Sequence, residues 1–169
     1  MRITISIFAI AASLNALAFY SDLWLEKRAE MDVVAARLRE SYVKCVEAMK
    51  TPAENVAVPF ENWPDGSVKS SLTAEKAQFF MEDGLIWGEG VVVRQFDEKG
   101  SETANLEAEN CVVDRNTRMG WVEGKAKLKY GKTTVDGEKI FFSLPDEYIK
   151  IYSNVEIHSS DLKMEGVKL

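Results

Sequence analysis

Apolar and polar residues alternate along most of the chain from Asn55 onward, in short runs separated by turn-forming residues. The separators include WPDG, MEDG, DEKG and LPDE, and Gly, Pro, Asp and Asn favour turns because they adopt the backbone angles that turns require. Alternation with a period of two is typical of strands that bury one face. This part of the chain is therefore predicted to be all-β.

A helical period precedes the strands, in the segment SDLWLEKRAEMDVVAARLRESYVKCVEAMKTP. The segment has no Gly or internal Pro and ends at Thr51-Pro52, which predicts an amphipathic helix over residues 19–52. Its apolar seam would form either a coiled-coil or docking surface or the face that packs on the domain's own sheet, and the weak members Ala35 and Tyr42 favour the second. The seam residues recur at spacings of four and three: Met31, Ala35, Leu38, Tyr42, Cys45 and Met49.

A strand-turn-strand unit occurs three times after the helix. LTAEKAQFFMEDGLIWGEGVVV starts at Leu72, LEAENCVVDRNTRMGWVEGKAKL at Leu106, and VDGEKIFFSLPDEYIKIYSNVEI at Val135, with offsets of 34 and 29 residues. Such self-similarity indicates copies of one supersecondary unit. In each unit a small residue is followed by Glu, and Gly or Ser lies 16 positions after the small residue: Ala74-Glu75 with Gly90, Ala108-Glu109 with Gly124, and Gly137-Glu138 with Ser153.

Each unit also moves its apolar residues from one face of the strand to the other. In the middle unit, Leu106 and Ala108 share one parity, and Cys111 and Val113 share the other. A β-bulge near the shared Glu explains this change, because one extra residue reverses the faces and increases the twist. The predicted fold is all-β: a twisted open β-jelly roll of repeated strand-turn-strand units over residues 53–169, preceded by the N-terminal α-helix.

The apolar residues of the units predict an interior that could hold lipid. Strands of any domain also need alternating apolar residues, so each of these residues has a second interpretation as plain core. The predicted interior residues are Phe79, Trp87, Val91, Val93, Cys111, Val113, Ala126, Leu128, Ile140, Phe142, Val155 and Ile157.

The repeats resemble the OstA-like domain of the lipopolysaccharide-export bridge proteins, of the LptA and LptC type. LTAEK, LEAEN and VDGEK carry the resemblance together with GEGVVV, VEGKAKL and SNVEI, and it covers residues 72–169. It implies a non-catalytic periplasmic jelly roll, without a cofactor, that binds the acyl chains of lipopolysaccharide or a related glycolipid during outer-membrane biogenesis. It also implies edge-to-edge contact with other jelly-roll domains of a transport bridge. The helix before the repeats departs from that pattern.

The C-terminal stretch SSDLKMEGVKL begins to resemble a further unit. Because an unpaired strand edge can recruit another strand, residues 162–169 are predicted to dock a second jelly-roll domain, from a partner or from another copy of the chain. Leu162, Met164 and Val167 are the predicted docking residues. The alternative function is an exported scaffold that assembles through sheet edges and the helix seam without binding lipid.

The first residues, MRITISIFAIAASLNALAFYS, have the order of a secretory signal peptide. Arg2 precedes an uncharged stretch, and Ala16-Leu17-Ala18 forms a small-x-small cleavage signal. About 18 apolar residues also reach the lower limit for a bilayer span. Residues 1–18 are predicted to be a signal peptide or, alternatively, an inner-membrane anchor, and the domain is predicted to lie in the periplasm.

Composition argues against several function classes. The net charge of −6 without a basic stripe argues against nucleic-acid binding. The single histidine, His158, and the absence of clustered metal ligands in the sequence predict no metal site, and no acid pair indicates an enzyme. Cys45 and Cys111 could form a disulfide in an oxidising compartment or remain two buried thiols, and both interpretations stay open.

Overall fold

The computed structural model describes the backbone of residues 3–5 and 17–159 and the side chains of residues 25–158. Within these residues the chain forms one helix, α1 (Leu17–Glu47), and eight strands. The strands are β1 (Ile3–Ile5), β2 (Ala53–Asn62), β3 (Val68–Phe80), β4 (Leu85–Phe96), β5 (Glu102–Asp114), β6 (Met119–Tyr130), β7 (Thr133–Ser143) and β8 (Tyr148–Ser159).

All described strands belong to one antiparallel sheet in the order β1-β8-β7-β6-β5-β4-β3-β2. From β2 to β8 each strand pairs with the next one along the chain, as short turns allow. The three predicted units are the hairpins β3–β4, β5–β6 and β7–β8, so the predicted all-β open sheet with an N-terminal helix is confirmed. β1 lies within the segment predicted for export, and it pairs with residues 149–151 of β8.

The predicted bulges lie where the strands pass the shared Glu. Between β5 and β6, Ala108 pairs with Ala126 but Cys111 pairs with Val122, so three steps along β5 match four along β6. Similar register shifts occur between β6 and β7 and between β7 and β8. The β3–β4 hairpin has no register shift at this level, since Ala74 pairs with Val91 and Lys76 with Glu89. Its change of face occurs instead at Gly90, which takes a left-handed φ of 61°. These irregularities turn the apolar residues to the other face of each strand, as predicted.

The row of bulges divides the sheet into two half-sheets that face each other. The charged half-sheet runs from the bulges to the β2–β3, β4–β5 and β6–β7 turns, and the helix-covered half-sheet runs to the β3–β4, β5–β6 and β7–β8 turns. Inward residues of both, such as Leu128 and Phe142, form one apolar cluster. At the free ends, Arg118 of the β5–β6 turn contacts Glu61 of β2. The sheet is thus folded over an apolar interior, and we call the opening between its free ends the mouth.

α1 lies on the outer face of the helix-covered half-sheet. Most of its predicted seam is buried there, with Tyr42 and Met49 at the border of the contact. Asp32 of α1 also pairs with the buried Lys150 of β8. The interpretation of the seam as a cover for the domain's own sheet is therefore confirmed. The buried contact residues are Met31, Ala35, Leu38 and Cys45 of the helix and Trp87, Val112, Trp121, Phe141 and Tyr148 of the sheet.

The helix differs from the predicted residues 19–52 at both ends, because it spans Leu17–Glu47. After the helix, the Lys50 backbone N–H donates to Gln78 Oε1 at 2.9 Å, which directs the chain toward the sheet before Pro52 is reached. Among the described residues, no helix combines the length and the apolar character that crossing a bilayer requires. The prediction of a signal peptide or anchor over residues 1–18 stays a prediction.

Candidate functional site

The interior is built from cross-strand rows of inward-pointing residues. One row runs through Leu72, Val93, Leu106, Leu128 and Val135, each paired directly with the next, and directly paired residues point to the same face of an antiparallel sheet. All five are buried in the interior cluster. The predicted inward placement is confirmed for Val91, Val93, Cys111, Val113, Ala126, Leu128, Ile140 and Phe142, and Val155 packs against them half-buried.

Trp87 corrects the prediction, because it does not point into the interior. Its side chain is buried beneath α1, while its neighbour Ile86 points inward. The left-handed φ of Gly90 reverses the faces of β4 between Ile86 and Val91. The prediction continues the parity of Val91 back to Trp87 without this reversal. Trp121, the equivalent residue of the next unit, lies in the same layer beneath the helix.

Phe79 and Ile157 have the predicted parity but are not enclosed. Phe79 is 37% exposed and Ile157 is 43% exposed. β2 begins at Ala53, opposite Ala77, so beyond that point β3 has no neighbour on its outer side to cover Phe79. Among the described residues, β8 has a neighbour on its outer side only at residues 149–151, which leaves Ile157 at an open edge. Both residues therefore lie at corners of the interior.

Sequence reasoning also missed three inward residues, Ile86, Val122 and Ile151, which are almost fully buried. Each lies on a returning strand, a few positions before the shared Gly or Ser of its unit. The signal that could have found them is the change of face itself, which applies to the returning strand as well as to the outgoing one. Applied to both strands, it would have assigned these three residues inward and Trp87 outward.

At the mouth, the inward row becomes polar. Glu61 is opposite Ser70, Ser70 is opposite Gln95, and the row continues through Ala104 to Tyr130. A cavity of about 50 Å³ lies just inside this row, between the ends of the two half-sheets. Its walls include Val93, Leu106, Leu128, Phe142, Leu144 and Ile149.

A larger polar cleft lies outside the cavity, and we call it the vestibule. It measures about 370 Å³ and shares Gln95, Tyr130, Leu144 and Glu147 with the cavity walls, so the two spaces are adjacent. A polar space that leads to an apolar one is the arrangement that an amphiphile requires.

The charged groups of the vestibule are centred on one carboxylate. Glu61 Oε2 lies 2.5 Å from an Arg118 guanidinium nitrogen, and Glu61 Oε1 lies 3.1 Å from Lys69 Nζ. Lys69 Nζ also lies 4.9 Å from the centre of the Trp63 ring, within the range of a cation–π contact. Two cations thus share one anion at the mouth.

The lysines of β6 form part of the solvated outer face of the charged half-sheet. Lys127 Nζ lies 3.5 Å from Asp136, and Lys129 Nζ lies 2.7 Å from Glu107. The hydrogen bond that Lys129 donates to Glu107 raises the pKa of Lys129. Alternating lysines on one strand face could meet phosphate groups at a rim or form a solvated face, and these cross-strand pairs favour the solvated face. β6 is flanked by β5 and β7, so its lysines do not protect a sheet edge.

The repeated Glu residues have a structural role at the bulges. The Glu109 carboxylate accepts a hydrogen bond from the Lys125 backbone N–H at 3.0 Å, and Glu138 accepts one from Asn154 Nδ2 at 2.8 Å. Glu109 and Glu138 therefore each fasten the returning strand of their own unit where the ladder is interrupted.

Cys45 and Cys111 are free thiols and lie in different layers. Cys45 is buried between α1 and the sheet, and Cys111 is buried in the interior. Burial raises the pKa of Cys45 to about 11, with a smaller contribution from the negative charge of Asp83. Burial raises the pKa of Cys111 to about 12. Of the two interpretations left open, two buried thiols is the one present in the structure.

The predicted docking residues Leu162, Met164 and Val167 lie outside the described residues. Within the described part of the chain, the free sheet edges are the outer side of β2, the outer side of β1 and the stretch of β8 beyond its contact with β1. Among the described residues, no group of three or more His, Cys, Asp or Glu side chains could hold a metal ion.

Comparison of the sequence with models of known protein families and with curated proteins finds no match.

Proposed function

We propose that this protein is a non-catalytic periplasmic module that binds the acyl chain of lipopolysaccharide or a related glycolipid and passes it along an envelope transport bridge. One observation carries the proposal: the apolar interior opens, through a small apolar cavity, onto a polar vestibule that contains both signs of charge. An amphiphile would place its chain between the half-sheets and its headgroup in the vestibule.

The size of the cavity sets a condition on this function. A cavity of about 50 Å³ is far smaller than the roughly 300–1,000 Å³ of common ligand sites. The half-sheets must therefore separate at the mouth before a chain can enter. Separation there exposes the inward rows that contain Phe142 and Leu128, while the strand pairing on either side of the bulges can stay intact.

Binding of labelled lipid A to delipidated protein tests the proposal. We expect saturable binding of lipid A and its competition by unlabelled lipid A, but much weaker competition by the same glycolipid without its acyl chains, because the interior cluster that would hold the chains is apolar. Mass spectrometry of the protein isolated from its native envelope should find a co-purifying acylated lipid. Equal affinity for the acylated and deacylated molecules would contradict the proposal.

A scaffold that assembles without lipid is the second candidate. The unpaired outer edge of β2 favours it, because free strand edges readily pair with other strands. The helix seam does not support it, since α1 uses that seam against its own sheet. Stable self-association of the delipidated protein, together with no lipid A binding, would favour this scaffold.

A further inference from the structure

The Arg118–Glu61 ion pair joins the two half-sheets across the mouth. Arg118 belongs to the β5–β6 turn at the end of the helix-covered half-sheet, and Glu61 lies near the end of β2 in the charged half-sheet. The Leu144 backbone N–H donates to the Arg118 carbonyl at 3.1 Å, so the β7–β8 turn is fastened to the same point. A change at this ion pair therefore acts on the width of the mouth.

Two buried donors in the vestibule lack partners among the described residues. Ser70 is 2% exposed, and its hydroxyl has no hydrogen-bond partner. The indole Nε1–H of Trp63 is also buried without an acceptor. Both residues line the vestibule. Buried donors normally find acceptors, so these two point to a ligand that supplies oxygen atoms.

The two cations of the vestibule favour an anionic group as that ligand. The lining carries three carboxylates, Glu61, Asp97 and Glu147, and Glu61 is the one that pairs with both Arg118 and Lys69. Asp97 already accepts the backbone N–H groups of Lys99 and Ser101 at 2.9 and 2.8 Å. Glu147, also in the lining, is exposed at the rim. A guanidinium and an ammonium together bind phosphate oxygens well, because charge-assisted hydrogen bonds are short and strong.

We propose that Glu61 is an internal competitor for an anionic headgroup, and that the headgroup of a phosphorylated amphiphile replaces Glu61 on Arg118 and Lys69 and so releases the mouth. This inference rests on the proposed lipid-binding function and adds the headgroup class and the means of opening. The phosphate accepts hydrogen bonds from Arg118, Lys69, Ser70 and Trp63, and it repels the Glu61 carboxylate. Once the phosphate has replaced Glu61 as the partner of Arg118, the ion pair no longer joins the half-sheets, and the chain of the same amphiphile enters between them.

Calorimetric titration of the full chain with dodecyl phosphate and with dodecyl maltoside, both below micelle formation, tests this inference. The two probes share a chain but differ in headgroup charge. We expect Arg118→Met and Lys69→Met each to weaken dodecyl phosphate binding about tenfold, which corresponds to about 1.4 kcal/mol. Neither change should weaken dodecyl maltoside binding, and Arg118→Met should strengthen it if anything, because the ion pair across the mouth is lost. Glu61→Gln should strengthen dodecyl phosphate binding several-fold, because the competing charge is removed.

Lys127→Met is the matched control. It removes the same charge from the outer face, where Lys127 pairs with Asp136, and it should leave both affinities unchanged. Thermal unfolding of each variant shows whether it is folded. Glu61→Gln is expected to strengthen binding, a result that loss of folding cannot produce, so the test does not depend on the Arg118 variant being folded.

Three results would overturn the inference. If Arg118→Met and Lys127→Met weaken dodecyl phosphate binding equally, the vestibule cations are not the site, although chain binding and the proposed function stand. If inorganic phosphate binds as tightly as dodecyl phosphate, the site takes a free anion rather than an amphiphile. If neither amphiphile binds to the protein or to any variant, the proposed function fails together with the inference.

Discussion

At the scale of single residues, the interior is close-packed wherever strands approach each other. Gly120 illustrates this, because the Phe142 ring occupies the place where a side chain would extend. A Cβ on Gly120 would lie 2.5 Å from Phe142 Cε1 and 3.0 Å from the Val112 carbonyl oxygen. The two residues face each other across β6 and β7. A small residue on one strand thus makes room for a large one on the next.

Gly120→Ala is therefore expected to destabilise the fold by about 1–3 kcal/mol, the usual cost of overpacking a filled core. Chemical denaturation measures the change. The double variant with Phe142→Leu should regain part of the loss, since the smaller side chain makes room for the added methyl group. If the two changes prove strictly additive, the close approach of Gly120 and Phe142 does not limit stability.

The thiols provide a second prediction at this scale. Because burial raises the pKa of Cys45 to about 11 and that of Cys111 to about 12, only about one Cys45 in a thousand is a thiolate at pH 8, and the thiolate is the reactive form. We expect neither thiol to react with Ellman's reagent in the native protein, and both to react in guanidinium chloride. Rapid labelling of one thiol under native conditions would show that its layer opens.

At the scale of elements, α1 is held to the sheet by an apolar face and by one buried charge. Lys150 is buried in β8, and its ammonium group pairs with Asp32, which is about half exposed. The Tyr152 hydroxyl donates to the same carboxylate at 3.2 Å, and Lys150 Nζ lies 5.0 Å from the centre of the Tyr152 ring. The pair fixes where along the sheet the helix can lie.

Asp32→Asn should destabilise the protein by about 2 kcal/mol, less than the roughly 3–5 kcal/mol for a fully buried pair, because Asp32 is partly solvated. The cause is the Lys150 charge, which stays buried without its counter-ion. Lys150→Met in the Asp32→Asn background should restore most of the stability, as an apolar residue removes that cost. No recovery in thermal unfolding would mean that the ion pair itself, rather than the uncompensated charge, matters.

At the scale of the whole molecule, the folded sheet has two outer faces of opposite character. The charged half-sheet presents cross-strand ion pairs to solvent, as at Lys129–Glu107. The helix-covered half-sheet presents large apolar residues that need a cover, and α1 supplies it. The interior between the half-sheets joins them into one unit, since its cluster draws residues from β3 to β8.

Phe142→Asp is expected to destabilise the whole molecule by more than about 4 kcal/mol. The side chain is 1% exposed in the interior, and an isolated carboxylate there loses its hydration without gaining a partner. Lys127→Gln, on the outer face, should change the stability by no more than about 0.5 kcal/mol. Equal shifts of the unfolding midpoint in the two variants would show that the assigned strand faces are wrong.

The sequence by itself determined the units of this fold. Local turn residues mark the hairpins, and the small-Glu pairs at Ala74, Ala108 and Gly137 mark where the strands change face, because turn formation and strand parity depend on neighbours along the chain. The helix seam from Met31 to Met49 could be predicted for the same reason, because helical periodicity is also local. These features require no knowledge of distant residues.

Only the tertiary structure decided which surfaces meet. It placed Trp87 beneath the helix, because a single left-handed residue, Gly90, reverses the face of β4. It also brought Arg118 to Glu61, which are 57 positions apart in the sequence and become neighbours only when the sheet folds at its bulges. Periodicity reports which face a residue takes within one regular strand. It carries no information about the angle through which successive bulges turn the sheet, and that angle creates the mouth.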